Sequence, residues 1–91
     1  MQGSTGTLEM HPVRTSRYMS KFEAARLIGL RSLQLRGDPS VEVGANLEAV
    51  AKKEIRDKKL AWAIRRYTPD GHEDVDARLL LLDRPTLQQL A

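Results

Sequence analysis

The run from Ser20 to Gln34, S-K-F-E-A-A-R-L-I-G-L-R-S-L-Q, limits the possible folds of this chain more than any other stretch. Ser20 followed by Glu23 has the spacing of a capping box. The Ser20 hydroxyl accepts from the Glu23 backbone N–H, and the Glu23 carboxylate reaches back to the N–H of Ser20. Ala24, Ala25, Leu27, Leu30, Leu33 and Leu35 are mostly good helix formers. Gly37 is the expected left-handed stop, and Asp38-Pro39 bars continuation. On a helical wheel Phe22, Ala25, Ile28 and Leu33 fall on one side, and Ala24, Leu27 and Leu35 largely on the other. A surface helix normally keeps a single apolar stripe. In a chain of 91 residues, a helix apolar on two sides either meets a second protein or is simply apolar throughout. Periodicity alone weighs these two readings equally. Gly29, at mid-helix, costs roughly 1 kcal/mol relative to Ala and clears a place where another backbone can approach.

The rest of the chain is arranged around this helix. Residues 1–14 are polar, carry Gly3, Gly6 and Pro12, and read as a flexible arm. Met19, just before the cap, is placed to staple onto the first helical turns. Val41-Glu42-Val43 alternates and predicts a short strand. Asn46 is an N-cap for a second helix with Leu47, Val50, Ala51 and Ile55 on one stripe. Leu60 to Tyr67 alternates, so Leu60, Trp62 and Ile64 face one way, with Trp62 expected inside, between sheet and second helix. Thr68-Pro69-Asp70-Gly71 is a turn. His72 to Val75 returns as a hairpin strand, with Leu79 to Leu82 a candidate extension. Pro85 to Leu90 forms one helical turn or stays loose. The expected fold is α+β: two helices packed with a short antiparallel sheet that ends in a hairpin. The expected boundaries are 1–14 for the arm, 15–82 for the domain and 83–91 for a tail.

The chain contains no cysteine, so disulfides, thiol chemistry and Cys-based zinc sites are excluded. Its longest apolar run, Leu79 to Leu82, is far too short for a membrane span. The first residues lack the basic start and apolar stretch of a signal peptide. Net charge is +3, unevenly placed: residues 1–66 hold 13 Lys/Arg and 7 Asp/Glu, residues 67–91 hold 2 and 5. Such a body suits an acidic protein surface or nucleic acid. One candidate class is therefore a free-standing nucleic-acid module using Arg26, Arg31, Lys52, Lys53, Arg65 and Arg66. With Trp62 assigned to the core, Tyr18 and Tyr67 are too few for a base-stacking platform, which argues against it. His11 and His72 stand in no recognised catalytic arrangement. His72, Glu73, Asp74 and Asp76 imitate a metal site, but acids on a hairpin are more often solvated edge charges. No metal or cofactor site is expected.

The helix sequence also carries a resemblance. F-E-A-A-R-L-I-G-L-R-S-L-Q-L resembles the signature helix of the omega-like small subunit of multi-subunit DNA-directed RNA polymerases. That family comprises bacterial omega, archaeal subunit K and the shared eukaryotic subunit. The matching positions are Phe22, Glu23, Ala25, Arg26, Leu27, Ile28, Gly29, Arg31, Ser32, Gln34 and Leu35. A-V-A-K-K-E-I is similar to the family's second helix, and I-R-R-Y-T-P-D-G-H-E-D-V to its terminal strand and turn. Val75 stands where the family has Trp, and the turn-to-acid spacing is about one residue short. The Tyr18-Met19 lead-in resembles eukaryotic and viral members. The resemblance implies a non-catalytic subunit, monomeric when isolated, that clasps the largest polymerase subunit and promotes assembly without specific contact to nucleic acid or membrane. Phe22, Glu23, Arg26, Gly29, Arg31, Gln34, Arg65 and Arg66 are the partner-binding residues it implies. Its implied location is nuclear or viral, or cytoplasmic for an archaeal member.

Overall fold

A computed structural model describes residues 13–91. Two main helices come first, α1 (Lys21–Leu35) and α2 (Leu47–Arg56). An antiparallel hairpin follows, β1 (Ala63–Thr68) and β2 (Gly71–Asp76). A 3-10 turn (Ala77–Leu79) and a short helix α3 (Arg84–Gln89) close the chain. The architecture is α+β, as the patterning predicts. Within the hairpin Ala63 lies opposite Asp76 and Thr68 opposite Gly71. Gly71 sits at φ 147°, a conformation that residues with a Cβ rarely adopt.

Each helix begins where its cap residue dictates. Glu23 N–H donates to Ser20 Oγ at 3.0 Å and Ser20 N–H to Glu23 Oε1 at 2.9 Å, which completes the capping box. Ala49 N–H donates to Asn46 Oδ1 at 3.1 Å. Lys58 ends α2 in a left-handed conformation, φ 60°. Lys59 N–H reaches the Glu54 carbonyl at 2.9 Å and Lys58 N–H the Ile55 carbonyl at 3.2 Å, the two bonds of a Schellman stop. Glycine usually takes that position. Here Lys58 Nζ donates to the Leu80 carbonyl, pinning the helix end to the segment beyond the 3-10 turn. Burial lowers the pKa of the Lys58 ammonium.

The core joins Ala24, Leu27, Ile28 and Leu35 of α1 to Ala51 and Ile55 of α2. Val75, Ala77 and Leu80 cover it from the hairpin side, and Met19 and Leu90 close it. The Arg66 guanidinium locks the hairpin to the start of α1. Its Nε donates to Glu23 Oε2 and its Nη2 to Glu23 Oε1, both at 2.9 Å. It also donates to Thr15 Oγ1 at 2.8 Å, to the Tyr18 carbonyl at 2.9 Å and to the Ser16 carbonyl.

Several expectations are corrected. Val41–Val43 forms no strand: Val41 N–H donates to Asp38 O and Ala45 N–H to Glu42 O, both 3.1 Å. Local turns thus consume these backbone groups, and Val43 is fully exposed. Leu79 to Leu82 does not extend the hairpin. Leu81 instead pairs in parallel with Tyr18, with Met19 N–H on the Leu81 carbonyl at 2.9 Å and Leu81 N–H on the Arg17 carbonyl at 2.8 Å. Residues 83–91, expected as a tail, pack into the domain. Asp83 caps α3 by accepting from Thr86 N–H, Leu90 is fully buried, and buried Thr86 donates Oγ1–H to the Met19 carbonyl at 2.6 Å. The motif that gives this segment its place is D-R-P-T: an Asx cap with proline in the first turn. Of the arm, residues 1–12 lie outside the described residues. Val13 packs against the core, and Arg14 N–H donates to Glu73 Oε2 at 2.7 Å. Trp62 alternates with Leu60 and Ile64 as predicted but is only half-buried, beside Leu27 and Leu30 of α1.

Two outcomes follow. Trp62→Ala should cost roughly 2 kcal/mol in urea titration, below the ~3–5 of a fully enclosed aromatic. Glu23 is a pH-sensitive group at the hairpin–α1 contact. The Arg66 hydrogen bonds, chiefly, hold its carboxyl below its ordinary range, outweighing the opposing effect of burial. A depressed folded pKa stabilises the fold above the unfolded value and loses that contribution as pH falls through the folded one. Glu23→Gln should therefore lower stability by about 1–3 kcal/mol at pH 7. In thermal melts the difference between the two proteins should shrink as pH falls through the lowered folded pKa of Glu23.

Candidate partner-binding face

With one side of α1 in the core, the opposite side stands in solvent. Phe22 is 75% exposed, Leu33 61% and Leu30 46%. Ala25, Arg26 and Gly29 lie exposed among them. Of the sequence-derived outer set, Phe22, Ala25 and Leu33 are outside, whereas Ile28 turns inward to join Leu35. The two-sided character of the helix is real: both sides carry apolar residues, and the described residues cover one. At Gly29 an added Cβ would meet nothing within 4 Å. The glycine is therefore not required by packing within the described residues.

The eight residues singled out from the sequence divide by environment. Phe22, Arg26, Gly29 and Gln34 are exposed along α1. Glu23, Arg31 and Arg66 are committed inside the chain. Arg31 forks onto Glu54 of α2, Nε to Oε1 at 2.7 Å and Nη2 to Oε2 at 3.1 Å, and its Nη1 also donates to Gln34 Oε1. The Glu54 carboxylate raises the Arg31 pKa, as Glu23 raises that of Arg66. Arg31 therefore orients Gln34 and couples α1 to α2. Arg65 lies exposed on β1, paired across strands with Asp74 at 2.9 and 3.1 Å.

The same geometry bears on the other chemistries. Among the six cations of the nucleic-acid reading, Arg31, Lys52, Lys53, Arg65 and Arg66 each have a carboxylate within 4 Å. A phosphate-binding stripe would leave such cations free for the ligand. The hairpin acids are likewise engaged separately. Glu73 accepts from Thr15 N–H at 3.0 Å and from Thr15 Oγ1 at 2.6 Å. Asp74 holds Arg65, and Asp76 holds Arg78. Among the described residues no group of three or more His, Asp or Glu side chains is placed to hold a metal ion, and no helix is long and apolar enough to cross a membrane. Sequence reasoning missed two exposed apolar residues next to this face, Leu30 and Tyr67. Leu30 was treated only as a helix former, and Tyr67 as a strand residue and a candidate for base stacking, although each falls at an outward position of its element.

No protein-family model matches the sequence. Individual relatives do. The chain is 40% identical over 74 residues to the DNA-directed RNA polymerases I, II, and III subunit rpabc2 of Dictyostelium discoideum, covering 76% of this chain and 56% of that protein. It is 41% identical over 63 residues to the DNA-directed RNA polymerases II and V subunit 6B of Arabidopsis thaliana, covering 65% and 44%. It is 40% identical over 74 residues to the RPABC2 subunit of Saccharomyces cerevisiae, covering 76% and 48%. The chain thus spans about half the length of the curated relatives it matches. At these identities the chain belongs to the family of omega-like small subunits of multi-subunit DNA-directed RNA polymerases.

Proposed function

We propose that this protein is a non-catalytic subunit of a DNA-directed RNA polymerase, and that it clasps the largest subunit with the outer face of α1. The observation that carries the reading is the face itself: Phe22, Ala25, Leu30 and Leu33 around an open Gly29, on a helix whose opposite side is already filled. An apolar patch rimmed by polar groups marks an interaction site. Phe22, Arg26, Gly29 and Gln34 are the direct docking residues. Glu23, Arg31 and Arg66 act from behind, by fixing the helix against the hairpin and α2. Arg65 belongs to the same partner-binding set from the hairpin. Clasping assists assembly by mass action, because a subunit that binds only the folded partner stabilises that state. The eukaryotic sources of the relatives support a nuclear location.

Gly29→Leu separates folding from binding. Leucine is the better helix former by up to roughly 1 kcal/mol, and the site has room for it in the free chain. The variant should melt at or above the wild-type temperature yet fail to capture the purified largest polymerase subunit from the same source. Capture at wild-type strength by the variant would show that α1 docks nothing there.

A further inference from the structure

The hairpin is a two-stranded sheet, so β1 has a second edge. The register determines which backbone groups face it. Ala77 N–H donates to the Trp62 carbonyl at 2.8 Å, one step beyond the pairs Ala63–Asp76 and Ile64–Val75. In an antiparallel ladder, residues that exchange hydrogen bonds alternate with residues that do not. Trp62, Ile64, Arg66 and Thr68 therefore bond toward β2, while the N–H and C=O groups of Ala63, Arg65 and Tyr67 point away from it. Among the described residues these groups bond to no other segment's backbone. Beside this edge runs a groove of ≈ 480 Å³ between α1 and β1, floored by Leu27, Leu30, Trp62 and Ile64 and rimmed by Arg26 and Arg65.

We infer that this edge is completed by an extended strand of the polymerase subunit that α1 clasps, adding to β1 and laying alternate side chains into the groove. The inference rests on the polymerase reading and deepens it. Strand addition draws affinity from backbone hydrogen bonds and specificity from pockets for alternate side chains, and both parts are present here. The groove sets the chemistry of the strand. Its floor takes aliphatic side chains. Its rim takes a carboxylate, because Arg26 has no ion-pair partner among the described residues, whereas Glu23 in the same groove is already neutralised by Arg66. The occupant is thus an acidic, aliphatic-alternating strand. A second copy of this chain fits poorly. Antiparallel self-pairing centred on Arg65 would set Arg65 directly opposite Arg65, and like charges facing each other across strands are destabilising.

The experiment compares Arg65→Pro with Arg65→Ala. Proline at an outward-facing edge position spares the ladder to β2 but removes the outward N–H and blocks an incoming strand. Alanine removes the same side chain and keeps the N–H. Captured on the purified largest subunit, Arg65→Pro should bind about tenfold or more weakly than Arg65→Ala, with melting temperatures of the two free chains reported alongside. Amide hydrogen exchange on the wild-type complex is the second measurement, independent of whether the proline variant folds. The amides of Ala63, Arg65 and Tyr67 should slow by about tenfold or more on binding. Equal binding by the two variants, or unchanged exchange at these three amides in a formed complex, overturns strand addition and leaves the clasp through α1 standing. A wild-type chain that does not bind the subunit at all overturns the polymerase reading and this inference together. Concentration-dependent dimerisation with the same amides protected assigns the edge to a second copy and overturns it as well.

Discussion

The ion pair between Arg66 and Glu23 is the interaction on which the rest of the molecule depends. Two oxygens of one carboxylate receive two nitrogens of one guanidinium, while Glu23 Oε1 also closes the capping box of α1. The remaining Arg66 donors hold the segment that leads into the helix. A single side chain of the hairpin thus braces the capped start of α1, holds its approach and fixes how the sheet lies on it. The arginine side chain is 12% exposed and the glutamate 22%. At that burial the pair is far less screened than a surface pair, and the planar five-donor fork suits several acceptors at once. Lysine could not replace it.

Local signals made most of this fold legible in advance. Ser20 and Asn46 capped helices because their side chains satisfy orphan N–H groups within three residues, an arrangement set by the adjacent sequence alone. The hairpin was legible from alternation and from Thr68-Pro69-Asp70-Gly71. Failures came where a neighbour distant in sequence decides the outcome. Val41–Val43 alternates like a strand but has no strand to pair with, and Asp38 and Glu42 draw its backbone into turns. Leu81 has a partner, yet that partner is Tyr18, which no periodicity reveals. Pro85 to Leu90 read as one helical turn or as loose, because so short a helix carries little signal. What holds them is the burial of Thr86 and Leu90 against Met19 and the rest of the core.

The candidate site was legible in identity more than in role. The sequence marked α1 as apolar on two sides, and the structure shows one side buried and the other bare. Sequence could not tell which charged residues face outward. Arg26, Arg31, Arg65 and Arg66 look alike as letters. Yet Arg31 and Arg66 are bound inside the chain by carboxylates 23 and 43 residues away, Arg65 by a cross-strand neighbour, and Arg26 by none within the described residues. These differences follow from the hairpin register and the α1–α2 crossing, both of them long-range facts.

An exposed face of this kind has to be compatible with the free chain as well as the complex. The outer side of α1 is broken up by charge: Arg26 sits between its apolar residues, and the Lys21 ammonium lies 5.3 Å from the centre of the Phe22 ring. An exposed cation over an aromatic face gains about 0.5–1 kcal/mol and keeps the ring next to a hydrated group. A partner surface must outbid that contact and strip the water from Lys21, so unspecific apolar surfaces gain little by touching Phe22. A complementary surface recovers more, because fully burying a large apolar side chain is worth roughly 1.5–3 kcal/mol, and Phe22, Leu30 and Leu33 are all available. In the proposed clasp, Gly29 lowers the middle of the face so that a partner backbone can approach and bury them together. The charges on this face thus raise the standard that a partner must meet, and in the proposed clasp the central glycine rewards the partner that meets it.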